Sequence, residues 1–221
     1  PQGVTRQGNK YQNVYSCGYF PLHGDFRGAY TLGEYQELDC GFDFYAPQTF
    51  VDGERRLLIG WMGMPDADYT NPTVENGWQH GMTVPCELKR DGEKLLRVPA
   101  PEMEALRGER IAPEQAQVFD LEAQTEPRGR LVIRGAAVLE WDEGTLSLTL
   151  VQGGSGRTVR YAEPGTVRSL RVLADASSLE IFVNGGEQVL TTRYYPAPHA
   201  CGVQSEGVQA ELWAMGALQI Q

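Results

Sequence analysis

The chain has 221 residues and a formal net charge of −10, from 19 lysines and arginines against 29 aspartates and glutamates. This balance argues against nucleic acid as a partner, because proteins bind nucleic acid mainly by neutralising phosphates with Lys and Arg. Hydrophobic residues make up 41% and charged residues 22%, which is typical of a folded globular protein and argues against intrinsic disorder.

The sequence predicts neither a membrane segment nor a metal site. No apolar stretch approaches the roughly 20 residues that a membrane-spanning helix needs. The four cysteines are far apart and form no C-x-x-C pair, and His23, His80 and His199 have no ligand-spaced companions. We therefore expect free thiols in a reducing compartment, the cytoplasm, and no metal or other cofactor.

Turn chemistry predicts an all-β chain. Gly and Pro punctuate short runs of β-branched and aromatic residues, which is typical of strands joined by turns. Asp-Gly and Asn-Gly pairs reach positive φ at low cost and match the twist of paired strands, so each pair predicts a hairpin. Such pairs occur at Asp52-Gly53, Asp91-Gly92 and Asn184-Gly185. We also expect one continuous strand over residues 82–88.

The strand pattern breaks near residues 99–115, where Pro99 and Pro101 stop a strand and residues 102–106 suit a short helix. Beyond the break, apolar residues recur at every second position, which indicates strands with one buried face in a sandwich of antiparallel sheets. The alternating residues are Leu131, Ile133, Leu146, Leu148, Leu150, Leu170, Val172, Leu179, Ile181 and Val183. We divide the chain into residues 1–100, a linker with a short helix over 101–116, and a β-sandwich over 117–221.

Residues 37–50 combine acids, an amide and four aromatic residues in one strand-like stretch. Aromatic rings that pack on sugar C–H groups, beside carboxylates and amides that accept from hydroxyls, are what a sugar-binding site needs. The alternative is a core strand with a polar edge, and tryptophans such as Trp61 and Trp78 are more often core residues than sugar-binding surfaces.

Four motifs, in order along the chain, resemble glycoside hydrolase family 32, the invertases, fructanases and bacterial sucrose-6-phosphate hydrolases. They are DFYAPQTF at 43–50 with RRLLIGWM at 55–62, WQHGMTVPCEL at 78–88, LRVLADASSLEIFVN at 170–184, and ELWAM at 211–215. Cys86 stands where that family usually has Arg.

The resemblance implies an all-β fold: the last part of a five-bladed β-propeller, followed by a C-terminal β-sandwich. It also implies retaining hydrolysis of terminal β-D-fructofuranosides, in which an Asp attacks the anomeric carbon and a Glu protonates the leaving oxygen. Such chemistry needs two carboxyl groups about 5–5.5 Å apart. Family chains are much longer, so we expect this chain to be a C-terminal portion that is inactive alone.

We assign no catalytic residue in this chain, because the family's W-x-N-D-P-N-G, R-D-P and E-C motifs do not occur in it. Asp39 and Asp43 are the acids to consider if the chain proved active. The resemblance assigns Tyr45, Trp61, Asp43 and Gln48 to substrate binding, with packing of the propeller as the alternative for Tyr45 and Trp61. Asp175 and Glu180, in the sandwich motif, are interpreted as structural.

The expected partner is a small sugar: sucrose, sucrose 6-phosphate or a fructan. Part of a propeller leaves unpaired sheet edges, which favour aggregation unless they are covered. We therefore expect an N-terminal fragment or a homodimer to cover those edges. A different class of function is also open, that of a non-catalytic carbohydrate-binding β-sandwich protein, although it does not explain the motifs before residue 100.

Overall fold

The computed structural model describes residues 6–151 and 158–217, and nearly all of its regular structure is β-strand. The first nine strands are β1 Gly18–Tyr19, β2 Leu22–Gly24, β3 Tyr30–Leu32, β4 Gln36–Glu37, β5 Tyr45–Asp52, β6 Arg55–Met62, β7 Gly81–Met82, β8 Cys86–Asp91 and β9 Lys94–Pro99. The next nine are β10 Arg107–Arg110, β11 Phe119–Ile133, β12 Ala137–Asp142, β13 Thr145–Leu150, β14 Val159–Ala162, β15 Ser169–Ala174, β16 Ser178–Val183, β17 Gln188–Arg193 and β18 Val203–Met215. Short 3₁₀ helices cover Pro72–Asn76, Pro101–Leu106 and Pro113–Gln115.

Strands β5, β6, β8 and β9 form an antiparallel meander, and β7 extends it beside β6. The three predicted hairpins are confirmed, since Asp52–Gly53 joins β5 to β6, Asp91–Gly92 joins β8 to β9, and Asn184–Gly185 joins β16 to β17.

The continuous strand expected over residues 82–88 is wrong, because the chain leaves the ladder between β7 and β8. Thr83 still bonds to Gly60, but through its side chain as well as its backbone. The Val84 amide donates instead to Glu180 Oε1 at 2.7 Å, and Pro85 has no amide hydrogen to donate.

The second half of the chain folds around two long strands, β11 and β18, which pair antiparallel along most of their length. The first half of β11 also pairs with β15, and its second half pairs with β12. One arm of the sheet therefore runs from β15 to β17 and the other from β12 to β14. The alternating residues predicted to be buried, from both arms, meet in one core, which confirms the sandwich. Strand β10, within the range predicted as linker, pairs with β18.

The sandwich packs against the meander through β16 and β17. Both strands are buried nearly throughout, because one face of each points into the sandwich core and the other meets the first half of the chain. Phe182 and Val189 form a second apolar cluster with Leu173 and with Cys86 of β8. The two halves of the chain are thus joined through an apolar contact.

A group of large apolar side chains lies exposed on the first half of the chain. It consists of Phe20, Leu22, Phe26, Tyr30 and Leu32, around β2 and β3, with Phe50 and Val51 at the end of β5. Over the described residues, none of the helices has the length and apolar character that crossing a bilayer would require.

Candidate functional site

Tyr45 and Trp61 face each other across the β5–β6 ladder as direct register partners. Their ring centroids are 6.4 Å apart, at an interplanar angle of 69°. Tyr15 lies on the other side of Tyr45, with a centroid distance of 5.6 Å, and His80 meets Trp61 edge-on at 4.8 Å. We call these four residues the aromatic cluster. The structure therefore brings together two of the four residues assigned to substrate binding.

A bulge in β5 follows Tyr45 directly. The register shifts between Tyr45 and Gln48, and Ala46 within the bulge has a φ of 44°. Positive φ is rare for alanine, and such backbone strain collects at functional sites. Pairing resumes at Gln48, which lies opposite Ile59 and is exposed. The bulge thus ends the ladder next to the aromatic cluster and leaves Gln48 at the surface.

Asp43 is completely buried. Its Oδ2 accepts the Arg193 backbone amide at 2.7 Å, and its Oδ1 accepts the Tyr69 hydroxyl at 2.9 Å. The carboxylate therefore points into the protein. Its assignment to substrate binding stays a prediction, and these contacts favour an indirect part in it.

Sequence reasoning missed Tyr15, Asp66 and His80. The Tyr15 hydroxyl donates to Asp66 Oδ2 at 2.6 Å, which places a carboxylate at the edge of the aromatic cluster. Desolvation lowers the pKa of His80, while the negative charge of Asp43 acts in the opposite direction. His80 could have been found from the sequence, because it lies inside the WQHGMTVPCEL motif. Tyr15 could not, because it lies in none of the motifs.

The aromatic cluster combines ring faces and edges with two phenols, an indole N–H and an imidazole. This set can pack on the C–H groups of a small sugar and hydrogen-bond its hydroxyls. Asp39, the other acid considered for chemistry, is buried and bonds to Arg97 and Thr191. Neither Asp39 nor Asp43 therefore reaches a bound sugar as a free carboxylate in this arrangement.

Two family models match the chain. Glycosyl hydrolases family 32 N-terminal domain matches residues 1–99, and Glycosyl hydrolases family 32 C terminal matches residues 136–218. The sucrose-6-phosphate hydrolase of Bacillus subtilis is 39% identical over 220 residues, covering 90% of this chain and 46% of that protein. The Salmonella typhimurium sucrose-6-phosphate hydrolase is 40% identical over 206 residues, covering 89% and 44%. The chain spans about half the length of the curated relatives it matches.

Solved structures agree. A Bombyx mori GH32 beta-fructofuranosidase is 25% identical with a TM-score of 0.80, covering 97% of this chain and 50% of that one. The Lactobacillus gasseri sucrose-6-phosphate hydrolase has a TM-score of 0.85 at 22% identity, covering 98% and 51%. These likenesses confirm the predicted all-β fold, part of a propeller followed by a sandwich. With two family models matching in order on one chain, the chain belongs to glycosyl hydrolase family 32.

Proposed function

We propose that the full-length protein hydrolyses terminal non-reducing β-D-fructofuranosides, sucrose or sucrose 6-phosphate, with retention of configuration. The observation that carries the proposal is the identity of 39% and 40% to two sucrose-6-phosphate hydrolases along almost the whole of this chain. A mutant of the Bombyx mori relative has been solved in complex with sucrose, which supports a small sugar as the ligand.

In this proposal the chain supplies the aromatic side of the sugar pocket. Tyr45 and Trp61 pack on the fructose ring, and the Tyr45 hydroxyl and Trp61 indole N–H bond to its hydroxyl groups. Exposed Gln48 adds an amide at the rim of the pocket, and Asp43, which is buried, contributes to substrate binding only indirectly. Holding the sugar in a reactive orientation contributes a large share of barrier lowering.

The nucleophile and the acid/base come, in this proposal, from the part of the protein that precedes these residues. A retaining glycosidase needs one ionised and one protonated carboxyl group about 5–5.5 Å apart across the sugar. Asp39 and Asp43 are buried and hydrogen-bonded to the sandwich strand β17. In this proposal the 221-residue chain is inactive by itself.

The exposed apolar side chains around β2 and β3 offer a surface that a partner could cover. Phe26 is 67% exposed and Leu32 is 54% exposed, and both lie on the β2–β3 hairpin, whose exposed apolar side chains we call the hairpin patch. We propose that an N-terminal fragment, or failing that a second copy of the chain, covers the hairpin patch. The compartment we propose is the cytoplasm, where the free thiols stay reduced.

The test is fructose release from sucrose and from sucrose 6-phosphate. We would assay the refolded chain alone and mixed with the separately produced N-terminal half of the Bacillus subtilis relative. We expect release only from the mixture. Release by the chain alone would place the catalytic acids within it, and sugar binding without turnover by a formed complex would favour the non-catalytic binding protein.

A matched pair of substitutions keeps the test specific to the site. Trp61→Phe in the aromatic cluster should lower kcat/KM about tenfold or more, because the indole N–H and part of the ring surface are lost. Trp213→Phe makes the same chemical change in the sandwich, where Trp213 stacks on Arg107 at 4.1 Å, and should leave kcat/KM nearly unchanged. Equal losses in the two variants would contradict the assignment of Trp61.

A further inference from the structure

Strand β17 is the last strand of its sheet, and its outer edge binds the segment that leads into Tyr45. The Cys40 amide donates to the Val189 carbonyl at 2.8 Å, and the Asp43 amide donates to the Thr191 carbonyl at 3.0 Å. In the reverse direction, the Thr191 amide donates to Asp39 Oδ1 at 2.9 Å. Residues 39–43 therefore run along β17 as a partial extra strand.

Asp43 is the last point of this attachment. Its Oδ2 accepts the Arg193 backbone amide at 2.7 Å and the Thr192 hydroxyl at 3.3 Å. Hydrogen bonds to an ionised acceptor are roughly twice as strong as neutral ones. Only Phe44 separates this attachment from Tyr45, and the Phe44 ring is itself buried against Arg97 at 4.5 Å.

Arg193 reaches the other side of the aromatic cluster with its side chain. Its Nη1 donates to the Gln79 carbonyl at 3.1 Å, and its guanidinium lies 4.8 Å from the centre of the Trp78 ring. Gln79 directly precedes His80, whose ring meets Trp61. The guanidinium is in turn fixed by Ser177, whose carbonyl accepts from Nε at 2.9 Å. Arg193 of β17 thus touches both the segment that leads to Tyr45 and the segment that leads to His80.

We propose that β17 of the sandwich positions the sugar-binding aromatic cluster, with Asp43 and Arg193 as the positioning residues. Asp43 fixes the position of Tyr45 through the backbone. Arg193 holds Gln79 and so the neighbouring His80, whose ring in turn contacts Trp61. The inference rests on the proposed function for the cluster's role in binding sugar, but the coupling itself is a property of the chain. The sandwich then does more than stabilise the fold, since it sets the geometry at which the fructose ring is received.

The experiment is amide hydrogen exchange and ¹H–¹⁵N NMR of the 221-residue chain carrying Asp43→Asn. This variant keeps the shape of the side chain and removes its charge. We expect amide exchange about tenfold faster at Arg193 and at residues 43–45, as lost charge-assisted bonding predicts. We also expect a shifted and broadened Trp61 indole resonance. Arg193→Lys should move the Trp61 and His80 resonances while Tyr45 stays closer to its original environment.

Asp120→Asn is the matched control, because Asp120 is equally buried but bonds to Arg107 and Arg171 within the sandwich, away from the cluster. The two variants are compared at temperatures at which their free energies of unfolding are equal. Under these conditions Asp120→Asn should leave the Trp61 indole resonance in place. The inference is overturned if Asp43→Asn leaves Trp61 and residues 44–45 unchanged, or if Asp120→Asn perturbs them equally. No readout depends on sugar turnover, so failure of the proposed function would not imitate either result.

Discussion

The guanidinium of Arg97 lies 2.8 Å from the carboxylate of Asp39, with the two side chains only 1% and 2% exposed. On the other side, Arg97 Nη2 lies 3.5 Å from Glu180 Oε2. Asp39 precedes the propeller-type meander, Arg97 belongs to its last strand, and Glu180 belongs to the sandwich. A single cation therefore joins three parts of the chain in a site from which water is excluded.

Replacing Arg97 by Met should cost about 3–5 kcal/mol of the free energy of unfolding, because it leaves the buried carboxylate of Asp39 without its counter-charge and Glu180 without its neighbouring cation. Urea denaturation of the chain would measure it. Arg128→Met is the control: Arg128 pairs with Asp142 at 3.3 Å, but the two side chains are 74% and 57% exposed. Exposed pairs contribute at most about 1 kcal/mol. Similar losses from the two substitutions would show that Arg97 is not the joint between the two halves.

The stability of the chain should fall as pH rises through the range just below neutrality. Burial raises the pKa of Glu180 to about 7, against the lowering effects of Arg97 and of the Val84 amide. Burial raises the pKa of Asp39 as well, although Arg97 opposes it. In the window from about pH 4.5 to about 7, the folded chain keeps a proton on Glu180 that the unfolded chain has released. The native state is therefore favoured at the acid end of this window.

Glu180→Gln removes this titration, so the variant should lose less stability than the wild type between pH 4.5 and 7. We expect the difference to be on the order of 1–3 kcal/mol, and Asp39 to keep part of the slope. Urea midpoints across the pH range would measure it, with Glu206→Gln on the exposed part of β18 as the control for loss of a charge. A wild-type slope retained in Glu180→Gln would show that another group carries the dependence.

Sequence reasoning predicted the features that depend on residues close together in the chain and missed those that depend on contacts between residues far apart in sequence. The sandwich core followed from alternation within single strands, as at Leu179, Ile181 and Val183, and the hairpins followed from adjacent Asp-Gly and Asn-Gly pairs. The buried contacts of Asp43 could not be predicted in this way, because the backbone amide that its carboxylate accepts belongs to Arg193, 150 positions away in the chain. Two residues before Tyr45 in sequence, Asp43 looks like part of a sugar site, yet β17 buries its carboxylate.

The interruption between β7 and β8 has the same kind of origin. The local sequence at 82–88 is strand-like, and Pro85 alone does not end a strand at a sheet edge. The ladder ends because Glu180, 96 positions away, accepts the Val84 amide. Features that depend on contacts between the two halves of the chain are thus the ones that patterns within a single strand cannot predict.

Gly41 should tolerate no side chain. A Cβ at this position would lie 2.1 Å from the carbonyl oxygen of Thr191 and 2.3 Å from its amide nitrogen, so Gly41→Ala must push residues 39–43 off β17. We expect a loss of about 2 kcal/mol or more, as for other overpacked sites. Thermal unfolding would measure it, against Gly28→Ala, where the nearest atom is 3.9 Å away. A Gly41→Ala chain as stable as the Gly28→Ala chain would argue that this segment does not lie closely on β17.

The reactivity of two cysteines should report on the contact between the meander and the sandwich. Cys86 is fully buried in that contact, and burial raises the pKa of its thiol to about 12, whereas Cys201 is exposed. Because the thiolate is the reactive form, iodoacetamide should modify Cys201 in the native chain and reach Cys86 only when the contact opens. Peptide mapping by mass spectrometry would follow both sites in time, with Cys201→Ser to identify the fast one.

Arg97→Met should speed the modification of Cys86 and leave that of Cys201 unchanged, because only Cys86 is protected by the contact that Arg97 stabilises. Modification of Cys86 as fast as Cys201 in the wild-type chain would mean that the two halves separate readily.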